Sequence, residues 1–203
     1  GVDLDRFRYG HRADEKWVAD LERHFPMLKD SQKLLLPGRL TAVKGFENII
    51  PWLKQSQAKQ YLLVTAKPDQ SDYSQRIHAQ LTQLGLADKV IWIGRQDSMA
   101  DLYAYADITL SVNRKPESFG RTVLESLTVG TPVVGYNHGG VGEILSALLP
   151  TGRVPVEDSQ ALITRINQSL QNPPDVVQQT QFSNQRQFEQ TMDVYQYLME
   201  QPQ

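Results

Sequence analysis

The sequence predicts an α/β fold: a Rossmann-like open parallel sheet with helices on both faces, followed by a C-terminal helix that crosses away from it. Short apolar or β-branched runs recur, among them Leu34-Leu35-Leu36, Tyr61-Leu62-Leu63-Val64-Thr65, Val90-Ile91-Trp92-Ile93 and Ile108-Thr109-Leu110-Ser111-Val112, which is how strands buried on both sides read. Segments of helical spacing alternate with them, and that alternation argues a parallel sheet with ligands at the carboxyl ends of its strands. Gly85, Gly94 and Gly130 stand where the periodic segments stop.

In chain order, residues 1–10 are the end of a linker, 11–172 the α/β domain and 173–203 a tail. His11 to His24 reads as a charged, weakly amphipathic helix closed near Pro26. The first strand, Lys33 to Leu36, runs into the turn Pro37-Gly38-Arg39-Leu40. A helix from Lys44 to about Ser56 puts Phe46, Ile49, Ile50 and Leu53 on one face, with Pro51 as a kink. After the Tyr61 strand comes a helix from about Asp72 to Leu84. The Val90 strand is followed by a short helix from about Met99 to Tyr105, and the Ile108 strand by a helix from Thr122 to Val129. Pro132 to Tyr136 is a further strand, and its loop Asn137-His138-Gly139-Gly140 opens a helix through Ile144. Gly152 to Val156 is extended and precedes a helix from Ser159 to Leu170. Beyond Asn172-Pro173-Pro174 the chain turns polar and Gln-rich, then places Phe188, Met192, Tyr195, Leu198 and Met199 at helical spacing. This stripe needs a surface to cover it, either a neighbouring domain or the domain's own.

Composition removes several function classes. Hydrophobic residues make up 40% and charged residues 22%, ordinary for a soluble domain, and no apolar run approaches the roughly 18 residues of a membrane span. With 21 basic and 23 acidic residues the net charge is −2, so no global field attracts nucleic acid. The absence of cysteine removes disulfides, thiolate nucleophiles and Cys-based zinc sites, and fits a reducing compartment. His11, His24, His78 and His138 are scattered, so no metal shell is predicted. Ser118 lacks the G-x-S-x-G setting of a hydrolase elbow, and neither a P-loop nor G-x-G-x-x-G follows the first strand.

The chain is organised around Pro116 to Glu125. Glu117 sits on a loop at a strand's carboxyl end, and Glu125 lies in the following helix, about 12 Å further along at a regular rise. Between them the N–H groups of Ser118 to Arg121 open the helix, a setting that favours an anion. A carboxylate on either side of an anion site suits a ligand with hydroxyls at both ends and phosphate in the middle, as in a nucleoside diphosphate sugar. Gly38-Arg39 and Lys44-Gly45 bracket another strand-to-helix loop, where Arg39 can fork onto phosphate oxygens. Read alone, those two cations are also what a surface turn carries, and His138 also reads as a solvated or capping loop residue.

Together, Gly38-Arg39-Leu40 with Lys44-Gly45, Glu117-Ser118-Phe119-Gly120 through Glu125, and Gly139-Gly140 with Glu143-Ile144 resemble the C-terminal, donor-binding domain of family 4 retaining glycosyltransferases of GT-B architecture. The two glutamates, with seven residues between them, look like that family's E-x7-E motif. The resemblance implies that Arg39 and Lys44 hold the donor pyrophosphate and offset the charge growing on it, with no metal or other cofactor. Glu117 would accept hydrogen bonds from the sugar, with the backbone near Ser118, Phe119 and Gly120 meeting sugar and phosphate. Glu125 would hold the ribose, Gly94-Arg95 would lie against the base, and Gly139-Gly140 would approach the ligand. Arg121 stands where an aliphatic residue is common, and Arg114-Lys115 where uncharged residues are frequent. The resemblance also implies an N-terminal acceptor domain absent here, without which the fragment binds donor but does not transfer it. The implied location is cytoplasmic, with peripheral attachment at the inner membrane face open through that domain. Two other readings remain: a non-catalytic nucleotide-sugar sensor and a GT-B-like epimerase.

Overall fold

The computed structural model describes residues 1–200; the end of the predicted tail, 201–203, lies outside them. Strands β1 (Gln32–Leu36), β2 (Gln60–Val64), β3 (Val90–Trp92), β4 (Ile108–Ser111), β5 (Val133–Tyr136) and β6 (Arg153–Val154) form one parallel sheet in the order β3-β2-β1-β4-β5-β6. The register pairs Leu34 with Leu62 on one side of β1 and with Ile108 on the other. The order reverses between β1 and β4, so the loops leaving these strands flank the crevice where such sheets take ligands.

Alternation along each strand divides the core into two layers. Leu34, Leu36, Leu62, Val64, Ile108 and Leu110 point to one face and are buried under Phe46, Ile49 and Trp52, with α3 (Asp72–Gln83) and α7 (Ser159–Gln171) beside them. Leu35, Leu63, Ile91 and Val133 point to the other, under α4 (Met99–Tyr105), α5 (Arg121–Val129) and α6 (Gly139–Leu148). Both faces are therefore covered, as the apolar strands require.

Two predicted helices differ. Helix α1 (Glu15–His24) starts after His11 because the Asp14 carboxylate caps it, accepting from the Trp17 N–H at 2.8 Å. The helix expected from Lys44 to Ser56 is instead two 3-10 turns, Ala42–Lys44 and Phe46–Ile49, then one α turn, α2 (Ile50–Leu53). Gly45 interrupts it in the left-handed region, φ +66°, where a Cβ would stand 2.2 Å from the Val112 carbonyl oxygen. Pro51 removes a further N–H donor. The predicted apolar face is nonetheless the one that faces the core: Phe46, Ile49, Ile50 and Leu53 are all buried.

In α3, His78 stacks on Trp92 with ring centroids 5.3 Å apart, and among the described residues its buried Nε2 has no hydrogen-bond partner. An unpaired buried polar atom costs about 1–3 kcal/mol. His78→Phe keeps a stacking ring and removes the orphan, so Tm should rise by a few degrees in a thermal melt; a fall would show that Nε2 is satisfied in solution.

The tail helix α8 (Asn184–Glu200) is tied at its start to the N-terminal segment: the Val2 N–H donates to Phe182 O at 2.8 Å, and the Asn184 N–H to Val2 O at 2.9 Å. Before it, Val176 and Gln179 are buried on the domain. Phe188, Met192, Tyr195, Leu198 and Met199 are exposed, so the stripe does not pack on this domain's own surface.

Candidate functional site

The site begins with the loop after β1. Gly38, at φ +119°, donates its N–H to Thr65 Oγ1 at 2.7 Å, which fixes this loop to the end of β2. Arg39 is exposed and has no ion-pair partner among the described residues. Lys44 does not begin a helix, as its position suggested; it closes a 3-10 turn because Gly45 breaks the chain there. Its stem lies over Gly38, where a Cβ would come 3.2 Å from Lys44 Cε. From there its ammonium reaches across the switch point and pairs with Glu117.

Glu117 sits on the loop after β4, half-buried, accepting from both Lys44 Nζ and Asn113 Nδ2 on the same Oε1. Ser118 is exposed and Phe119 packs against the core. Gly120, at φ +83°, caps α5 without a side-chain hydrogen bond, so the first-turn N–H groups of that helix are not spent on a cap.

Gly139 and Gly140 pack directly on the carboxylate loop. The Gly140 N–H donates to Glu117 O at 2.8 Å. A Cβ on Gly139 would lie 2.6 Å from Glu117 O, and one on Gly140 2.5 Å from Phe119 O. The glycine pair lets the start of α6 abut the backbone of residues 117–119 and so buttresses the carboxylate loop. His138 precedes it without a capping hydrogen bond, its ring edge-on to Tyr136 at 6.3 Å.

Glu125 lies further along α5. It accepts from Tyr103 Oη at 3.0 Å and from Arg121 at 3.4 Å. Burial, then the charge of Glu125, pushes the Tyr103 hydroxyl well above its ordinary value, so tyrosine remains the donor of this bond. Glu125 lines a cavity of 430 Å³ with Val2, Arg6 and Phe7. Arg39 instead lines a cleft of 980 Å³ with Gly38, Thr65, Lys67, Arg95 and Gln96. The structure thus brings Gly38, Lys44, Glu117 and Gly140 into one contact network, whereas Glu125 opens into a separate cavity beside the N-terminal segment.

Gly94 adopts φ +72° and Arg95 is exposed, 3.9 Å from the equally exposed Asp97. Arg114 and Lys115 are exposed as well, and the Arg114 N–H donates to Val43 O at 2.8 Å. Lys67, Thr65 and Asn113 were not anticipated. Thr65 ends a predicted strand, Asn113 directly follows one and Lys67 comes two residues after one, and that position is the signal that could have found them. Among the described residues no three His, Cys, Asp or Glu side chains converge as metal ligands, and no helix is long and apolar enough to cross a membrane.

A parallel sheet with Arg39 and Lys44 on the β1 loop and Glu117 on the β4 loop, Lys44 and Glu117 in contact at the switch point, defines a Rossmann-like domain with a charged crevice. Residues 20–187 match the family model of Glycosyl transferases group 1, and the chain belongs to that family. An uncharacterized glycosyltransferase of Methanocaldococcus jannaschii is 33% identical over 132 residues, covering 62% of this chain and 32% of that protein. A glycosyltransferase from Rickettsia africae superimposes with a TM-score of 0.84 at 19% identity, over 100% of this chain and 56% of the other. Anabaena HepE, crystallised with UDP and glucose, gives 0.74 at 24% identity, over 85% of this chain and 46% of its own. The fold is that of one domain of a GT-B glycosyltransferase. The chain spans about a third of the curated relative and about half of the solved structures.

Proposed function

We propose that the chain is the donor-binding half of a retaining, family 4-type hexosyltransferase that transfers a sugar from a nucleoside diphosphate to an acceptor. The observation that carries this reading is the contact between Lys44 and Glu117 across the switch point, which joins a phosphate-type cation to a sugar-type carboxylate. The donor pyrophosphate lies against Arg39, Lys44 and the start of α5. As the sugar–phosphate bond breaks, the electron pair goes to the phosphate oxygen, and the two cations offset the charge that grows there. Glu117 orients the sugar hydroxyls, Glu125 holds the ribose, and the departing phosphate oxygen takes the proton of the incoming hydroxyl on the same face of the ring. The acceptor comes from an N-terminal domain that also covers the stripe on α8, so this chain alone binds donor without turnover. Binding needs no metal.

Calorimetric titration of nucleoside diphosphates tests this. Affinity should be unchanged by EDTA and fall by at least about tenfold in Arg39→Ala, the worth of a charged hydrogen bond. Loss of binding in EDTA overturns the metal-free site, and full affinity in Arg39→Ala overturns its placement.

A further inference from the structure

Lys67 has no part in the chemistry above, yet its placement is specific. It follows β2 and lines both the 980 Å³ cleft and a neighbouring 410 Å³ groove walled by Trp17 and Trp92. Its stem crosses the space left by Gly94, where a Cβ would lie 2.7 Å from Lys67 Cε and 3.1 Å from Cγ. A side chain at 94 would therefore displace it. Among the described residues its ammonium has neither a hydrogen-bond nor an ion-pair partner. Its neighbours in the cleft are partly committed. Gln96 Nε2 donates to Ile93 O at 3.0 Å, which leaves Oε1 as an acceptor. Asp69 accepts from the Ser71 hydroxyl and N–H, and these bonds hold its carboxyl below the usual range, so it is an ionised acceptor.

We infer that Lys67 reads the nucleobase of the donor and selects one that presents a carbonyl beside a ring N–H, uracil or guanine. The inference rests on the donor-binding reading. With phosphate on the β1 and β4 loops, the far end of the ligand reaches the β2 and β3 loops, β2 standing two strand spacings, about 10 Å, from β4. An ammonium only donates, and a carboxylate or amide oxygen only accepts. Lys67, which lines one cleft with Asp69 and Gln96, therefore matches a carbonyl next to an N–H. Adenine and cytosine present the opposite pair on that edge, an amine beside a bare ring nitrogen, which sets donor against donor at Lys67. Each mismatch forfeits the charged hydrogen bond that Lys67 would otherwise donate.

The test is calorimetry of the 203-residue chain with UDP, GDP, CDP and ADP at one ionic strength, repeated with Lys67→Met, which keeps most of the stem and removes the charge. UDP or GDP should bind at least about tenfold tighter than CDP and ADP, the worth of one charged hydrogen bond. Lys67→Met should erase that margin by weakening only the tighter ligands. Equal loss for all four would assign Lys67 to the phosphates and overturn the proposal, as would an unchanged margin. Equal binding of all four, with all weakened by Arg39→Ala, would end the base preference and leave the donor site standing. No binding of any nucleotide would remove the donor reading itself.

Discussion

Gly140→Ala is expected to abolish measurable nucleotide binding and to lower stability by about 1–3 kcal/mol, the cost of overpacking. In the first turn of an ordinary helix the same change would help, since alanine is favoured over glycine by about 1 kcal/mol. Here the added methyl would stand 2.5 to 2.6 Å from the backbone O, C and Cα of Phe119, none of which is the yielding end of a side chain. Residues 117–119 must move, and Glu117 and the N-terminus of α5 move with them. Gly85→Ala supplies the control. Gly85 sits at φ +67° with nothing within 4 Å of a Cβ, so its cost is conformational alone. That variant should lower Tm and leave affinity intact. If Gly140→Ala binds nucleotide normally, the buttress is not what shapes the loop.

Separate roles for the two glutamates predict different ligand profiles. Glu125→Gln should weaken free nucleoside diphosphate and intact donor alike, by about 1.5–3 kcal/mol, if the carboxylate accepts from the ribose. Glu117→Gln should weaken the intact donor by a similar amount and leave the nucleoside diphosphate almost unchanged. In the structure Glu117 is the ion-pair partner of Lys44, so Glu117→Gln removes no donor from the phosphate. The ratio of donor to nucleoside diphosphate affinity decides. Equal shifts of that ratio in the two variants, or none in either, would overturn the proposed orientation with sugar at the loop and ribose along the helix.

The fold was legible because its determinants are local in sequence. Apolar runs and glycine stops mark each strand and helix of the sheet, and Gly130 at φ +106° ends α5 where predicted. The helix at Lys44 was misread because Gly45 answers to the Val112 carbonyl, an atom distant in sequence. The same limit governs the site. Arg39, Lys44 and Glu117 could be named from spacing and resemblance, but not the Lys44–Glu117 pairing, which depends on β1 lying beside β4. The packing of Gly139-Gly140 on the backbone of residues 117–119 was not legible, because sequence records the missing side chains without saying which backbone fills the space. Lys67 carries no signal beyond its position after a strand; only the fold shows it lying across Gly94.

The pairing of β1 with β4 also has a kinetic consequence. Leu34 meets Ile108 only after the intervening β2, α3, β3 and α4 have been threaded to one side, so this contact closes the longest loop of any strand pair in the sheet. Contacts of such separation slow folding. Strands β1, β2 and β3 can associate through shorter connections, whereas the crevice forms only when the two halves of the sheet join. During synthesis, then, the first half of the chain can be ordered while Lys44 still lacks Glu117, and binding competence should arrive last, in one step with completion of the sheet.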